Sequence, residues 1–124
     1  GHGAKILIAD ANFPIGTAVL PSVKKIYLNL APGLLSATAV LQVLQTAIRI
    51  EQAQAMAVPE GGDAAILEEY GRILGKDVNI TCLNKPAFYQ AILTNDTCLV
   101  IATGETKRYA NILLTIGVFL PGTD

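Results

Sequence analysis

The residues able to do chemistry fall where short apolar runs end. Asp10 closes the run Lys5 to Ala9, Asn84 and Lys85 follow an alternating stretch, and Tyr109 and Asn111 lie in the polar segment after Thr97 to Ala102. If those runs are strands of one open sheet, their carboxyl ends gather these side chains where such sheets hold ligands. A carboxylate, an ammonium, a phenol and an amide supply hydrogen bonds of both kinds, as a small polar ligand needs. His2, the one histidine, adds a group that can give and take a proton near neutral pH, since its unperturbed pKa is about 6.5. Each residue also has an ordinary structural use. Asp10 can cap the Ala11-Asn12 turn, Lys85 can be a solvated charge at a helix start, and Tyr109 and Asn111 can serve as loop hydrogen-bonders. A leading Gly-His is also what expression vectors leave behind.

Other chemistries lack their residues. No G-x-S-x-G elbow, no G-x-x-x-x-G-K loop and no G-x-G-x-x-G turn occurs, and Lys107-Arg108 lacks the glycines of a phosphate nest. With one histidine, and with Cys82 and Cys98 far apart, no metal-ligand spacing exists and no metal is expected. The two cysteines, each in an apolar stretch, are expected to be buried free thiols, which implies a reducing compartment.

The elements that must position these side chains follow from periodicity. Lys5 to Asp10 reads as a buried strand, and Pro14 keeps Phe13 extended after it. Lys25 to Leu30 alternates as a second strand, and Pro32-Gly33 turns the chain. Leu34 to Ile50 repeats apolar residues at helical spacing, and Gln52 to Val58 alternates as a strand. Asp63 is a candidate N-cap for a helix ending at Gly75. Asp77 to Cys82 is a further strand, Asn84 caps a helix through Ile92, Thr97 to Ala102 is a strand buried on both faces, and a last strand runs from Tyr109 to Val118. Strands and helices alternate, so an α/β three-layer domain with a mixed or largely parallel sheet flanked by helices is expected.

Composition sharpens the class. The 124 residues are 52% hydrophobic and only 15% charged, against roughly a quarter charged in an ordinary soluble domain. A small domain cannot hide half its residues in its own core, so some apolar surface is expected in a subunit interface. Nine basic and ten acidic residues are dispersed without a basic stripe, which argues against nucleic acid. The charge-free run Ile26 to Ile48 is broken by Pro32-Gly33 and carries Asn29, Gln42 and Gln45, which argues against a membrane span. No signal-peptide arrangement is present, and a cytoplasmic protein is expected.

Two stretches carry a family likeness. Gly1-His2-Gly3, the strand to Asp10 and Ala11-Asn12-Phe13-Pro14 resemble the G-H-G/T, strand, D-A-x-x-P signature of the D-ribose pyranase and L-fucose mutarotase family. Asn84 to Tyr89, Thr103-Gly104-Glu105 and Tyr109 to Leu114 resemble, in order, its N-R-F-x-F-Y, T-G-E and Y-G/A-N-I/L-I/L-L elements. The resemblance implies a single domain over residues 1–124, without the helix that family members carry ahead of Gly-His. It implies an isomerase that interconverts forms of a free reducing sugar with no cofactor or metal. His2 then matches the catalytic histidine and Asp10 the sugar-binding aspartate, while Lys85, Tyr109, the main chain of Ala110 and the amide of Asn111 bind the sugar. Lys85 stands where fucose-type members have arginine and ribose-type members histidine. Leu30 to Gly33 and Ala110 lean to the ribose type, Phe13-Pro14 and Phe88-Tyr89 to the fucose type; L-fucose is placed slightly ahead of D-ribose. The family's ring-based decamers, in which the Tyr-Gly/Ala-Asn segment reaches a neighbour's site, imply a homo-oligomer. The alternative is a non-catalytic sugar-binding or oligomeric accessory protein of the same fold.

Overall fold

A computed structural model describes residues 3–119, with side chains to residue 117. The elements in chain order are β1 (Lys5–Ala9), α1 (Ile15–Ala18), β2 (Lys24–Tyr27), α2 (Ala37–Gln45), β3 (Ile48–Met56), α3 (Ala65–Leu74), β4 (Asn79–Leu83), α4 (Lys85–Ile92), β5 (Thr97–Ala102) and β6 (Ile112–Phe119). One six-stranded sheet runs β2-β5-β1-β6-β3-β4. The pairs β1·β5, β2·β5 and β3·β4 are parallel, and β6 lies antiparallel between β1 and β3. Five strands therefore point the same way, and β6 begins at the edge where they end.

Side-chain alternation on the central strands feeds a core on each face of the sheet. Ile6, Ile8, Ile112 and Leu114 pack with Leu41 of α2 and Ile66 and Tyr70 of α3. Leu7, Ala9, Val100 and Leu113 point the other way, against Phe88 and Ile92 of α4 and Ala18 of α1. Helices on both faces make the three-layer α/β sandwich that the alternating pattern implies.

Local chemistry sets the element boundaries. Ser36 Oγ accepts from Ala39 N–H at 3.2 Å and starts α2 there, two to three residues beyond where periodicity alone begins it. The helix expected to reach Ile50 stops at Gln45. Ile48 and Ile50 are instead alternating buried residues of β3, because β-branched side chains two apart fit a strand face. The second strand is also shorter than its alternation, ending at Tyr27, and Leu30 beyond it is 85% exposed. Asp63 Oδ1 accepts from Ala65 N–H at 2.9 Å, although the N-cap position of α3 is Ala64. Gly75, at φ 81°, ends α3 as expected. Asn84 Oδ1 caps α4 by accepting from Ala87 N–H at 2.9 Å. The cysteine expectation is half right: both thiols are free, but both are exposed, because Cys82 lies on edge strand β4 and Cys98 near the start of β5. Among the described residues, no helix is long and apolar enough to cross a membrane.

Candidate functional site

The sheet delivers the site residues to one edge. Asp10 follows β1, Met56 ends β3, Asn84 and Lys85 follow β4, Thr103 to Arg108 follow β5, and Asn111 precedes β6. The registers Ile8↔Ile112 and Ala55↔Ile112 then put Asp10, Asn111 and Met56 side by side. Asn111 Oδ1 accepts from Asp10 N–H at 2.7 Å, across 101 residues of chain. This bond fixes the rotamer of Asn111 and leaves its two amide N–H donors for a ligand.

A cavity of about 360 Å³ opens over these residues. Asp10, Lys85, Tyr109 and Asn111 line its polar part, with Asn12 and Arg108, while Phe13, Met56 and Tyr89 supply apolar surface. Phe13 and Tyr89 pack tilted at 5.5 Å between ring centroids, and Lys85 Nζ lies 5.8 Å from the Tyr89 centroid. Ala110 is not in the lining. It is fully buried behind the cavity, where its carbonyl accepts from Tyr70 Oη and its N–H faces the Asp10 carboxylate. Its main chain therefore shapes the site through Asp10 and Tyr70. His2 lies outside the described residues.

Asp10 makes the turn cap expected of it and also reaches the cavity. Its Oδ1 accepts from Asn12 N–H at 3.0 Å, closing an Asx turn, and the same carboxylate faces the cavity. Burial pushes the Asp10 carboxyl above its ordinary range; N–H groups of Asn12, Ala110 and Phe13 pull it back, and the Glu105 charge adds to the rise. Burial, and then the Asp10 charge, also raises the Tyr89 phenol.

Several residues in or behind the cavity were not visible as such in the sequence. Tyr70 reads as a helical core residue, yet its hydroxyl ends on the carbonyl of Ala110. Burial and the charges of Glu105, Asp10 and Glu69 raise its phenol, so it stays a hydrogen-bond donor at neutral pH. Phe13 reads as an extended residue before Pro14 and Met56 as one position of the alternating stretch Gln52 to Val58, and their place beside the Asp10 carboxylate emerges only from the sheet order. Arg108 reads as a loop charge.

Tyr109 has φ 58°, a left-handed conformation that is rare for a bulky side chain and typical of functional turns. This gives a stability prediction. Tyr109→Gly should be more stable than Tyr109→Ala by about 1 kcal/mol, the reverse of the usual order, because only glycine enters this region without a Cβ penalty. Urea unfolding of the two variants checks it; an alanine variant as stable as the glycine one contradicts the strain.

Comparison with known proteins agrees with this architecture. The profile of the RbsD / FucU transport protein family matches residues 1–119. A D-ribose pyranase of Bacillus subtilis (strain 168) is 36% identical over 121 residues, covering 95% of this chain and 85% of the relative. A fucose mutarotase of Danio rerio is 33% identical over 131 residues, covering 98% and 83%. The structure of Bacillus subtilis RbsD complexed with D-ribose superposes with a TM-score of 0.82 at 32% identity, covering 97% of this chain and 86% of that one.

Proposed function

Because the chain belongs to the RbsD / FucU family, we propose that it is a cofactor-independent isomerase, a mutarotase that interconverts the ring forms of a free monosaccharide. The observation that carries the reading is the convergence of Asp10, Lys85, Tyr109 and Asn111 on one cavity, from three separate stretches of a chain with relatives named for this activity.

The reaction asks little of a protein. A base takes the proton of the anomeric hydroxyl, an acid protonates the ring oxygen, and the C1–ring oxygen bond breaks to give the open aldehyde. Rotation about C1–C2 and reclosure on the other carbonyl face return both protons, so no atom or electron is gained or lost. In this proposal His2 is the acid and base, Asp10 accepts a sugar hydroxyl, the Asn111 amide donates to one, and Tyr109 holds a hydroxyl or relays a proton. Lys85 donates as a point charge rather than a planar fork. In the same proposal the Ala110 main chain acts through its neighbours, a reading that its burial and its bond to Tyr70 support.

Of the two sugars in the family, we place L-fucose ahead of D-ribose. L-fucose carries a methyl group where D-ribopyranose has only hydrogen, and Phe13, Met56 and Tyr89 offer apolar surface beside the polar groups. The test is saturation transfer between anomer signals of each sugar, with His2→Ala alongside. Exchange above buffer that falls by about 100-fold or more in His2→Ala is expected for a lost general acid-base group. Sugar binding without exchange selects the accessory-protein alternative; an unaffected variant removes His2 from the mechanism.

We also propose that the chain works as a homo-oligomer, up to the family-type decamer, in the cytoplasm. Leu30, Val43 and Tyr27 stand 85%, 68% and 58% exposed on the single chain, large side chains that a neighbouring copy would cover in this proposal. Light scattering behind a sizing column should give a mass several times 13.0 kDa; a monomer contradicts this proposal.

A further inference from the structure

Glu105 is the one buried acidic side chain besides Asp10 among the described residues, and it does not line the cavity. Its oxygens are spoken for by three segments. Oε1 accepts from Ala37 N–H, the first residue of α2, at 3.1 Å, and Oε2 accepts from Lys107 N–H at 3.1 Å. Its own carbonyl accepts from Ala11 N–H at 2.8 Å, in the turn that Asp10 begins. Its N–H donates to Thr103 Oγ1 at 3.2 Å, and that hydroxyl donates to Ala9 O at 2.7 Å.

We propose that Glu105 is a positioning residue for the isomerase site: it ties the Asp10 turn, the start of α2 and the turn that carries Arg108 and Tyr109 into one unit behind the cavity. The inference rests on the sugar-isomerase reading for its effect on turnover, but not for its effect on Asp10. A neutral core residue of similar size could fill the same space. A carboxylate there accepts two main-chain N–H groups at once, which fixes Lys107 two residues ahead of the strained Tyr109. It also places a second negative charge behind Asp10, which favours the protonated form of the Asp10 carboxyl. The other titratable groups facing Asp10 among the described residues are Arg108 and Tyr109 of the same loop, Lys85 and Tyr89 of α4, and Tyr70 of α3.

Two substitutions separate geometry from charge. Glu105→Gln keeps the reach but loses the charge and one acceptor; Glu105→Asp keeps the charge but withdraws it by one methylene. The readouts are the pH titration of the Asp10 carboxyl carbon by ¹³C NMR and the pH profile of sugar exchange. In Glu105→Gln the Asp10 midpoint should move down, and maximal exchange should fall because one of the two main-chain N–H groups loses its acceptor. In Glu105→Asp the midpoint should stay nearer wild type, while maximal exchange falls by about 10-fold or more as the Tyr109 turn loosens.

An Asp10 midpoint unmoved in Glu105→Gln, or full exchange in both variants, overturns the proposal. If Glu105→Gln does not fold, the wild-type protein carries the test. The Ala37 and Lys107 amide protons, as donors to the Glu105 carboxylate, should exchange with solvent far more slowly than those of the exposed loop. Ala37 and Lys107 amides that exchange as fast as those of the exposed loop overturn it equally. Absence of any sugar exchange by wild type refutes the isomerase reading alone, since the titrations need no turnover.

Discussion

Asp10→Asn is expected to slow sugar anomer exchange by about 10- to 100-fold, the worth of one hydrogen bond to a charged group, while the protein melts no lower than wild type at neutral pH. Asparagine has the shape of aspartate and can still accept from Asn12 N–H, so the Asx turn survives. What is lost is the negative acceptor facing the cavity beside Asn111. The stability half of the prediction comes from linkage. The Asp10 carboxyl is raised in the folded state, chiefly by burial, so folding disfavours its ionised form. Stability from this group is full below the unfolded-state carboxylate pKa and is lost as pH rises from there through the higher folded-state value. At neutral pH the ionised carboxylate therefore weighs against the fold, and the neutral variant is relieved of it. In acid, below the ordinary carboxylate range, that advantage disappears. Exchange assays at neutral pH and melting curves at neutral and acid pH check both halves. A variant that loses stability and activity together would mark Asp10 as a structural cap with no separate role in the site.

Gly104→Ala should damage the fold more than any other small substitution in the loop. A Cβ at this position would lie 2.2 Å from Leu34 O, 2.6 Å from Ala31 O and 3.0 Å from Leu34 N. All three are main-chain atoms, so no side-chain rotation relieves the clash. The same glycine donates its N–H to Leu35 O at 3.1 Å and accepts from Gly33 N–H at 2.7 Å, pinning the 31–36 segment to the end of β5. Relief requires that segment to move off, breaking both bonds and displacing Ser36, the cap of α2. Overpacking against backbone is expected to cost on the order of 3 kcal/mol or more, which lowers the melting temperature of a domain this size by about 10 °C or more. Glu105 is the next residue, so the variant should also lose sugar exchange at temperatures where it remains folded. Thermal unfolding by circular dichroism checks the prediction. A melting temperature within a few degrees of wild type would show that the close approach of the two segments is not real.

The sequence was most readable where one local signal decides the outcome. The TCLVIA strand, the Asn84 cap and the delivery of Asp10 to a strand end all follow from residues within a few positions of each other. It misled where two periodicities overlap. Leu34 to Ile50 satisfies a helical repeat throughout, yet Ser36 and the β-branched pair Ile48 and Ile50 divide it into a loop, a helix and the start of β3. The four polar cavity residues were visible as candidates because each follows or precedes a strand. Their union was not visible, since it depends on β6 entering between β1 and β3 and on a bond between residues 101 apart. Glu105 illustrates the limit most plainly. T-G-E could be seen as a motif, but one of the two partners of its carboxylate is an amide 68 positions earlier, and no local pattern announces that. The burial of Ala110 behind the cavity was likewise set by Tyr70, 40 residues away on α3.

The central claim is that the cavity over Asp10 and Asn111 is where a free sugar is bound and its ring opened. The most direct test is two-dimensional exchange NMR on L-fucose and on D-ribose at equilibrium, comparing buffer, wild type and Asp10→Asn under the same conditions. Cross-peaks between the anomeric protons should build up faster with wild type than in buffer for at least one sugar, and nearer the buffer rate with Asp10→Asn. Build-up with wild type no faster than in buffer for both sugars, or undiminished in Asp10→Asn, would contradict it.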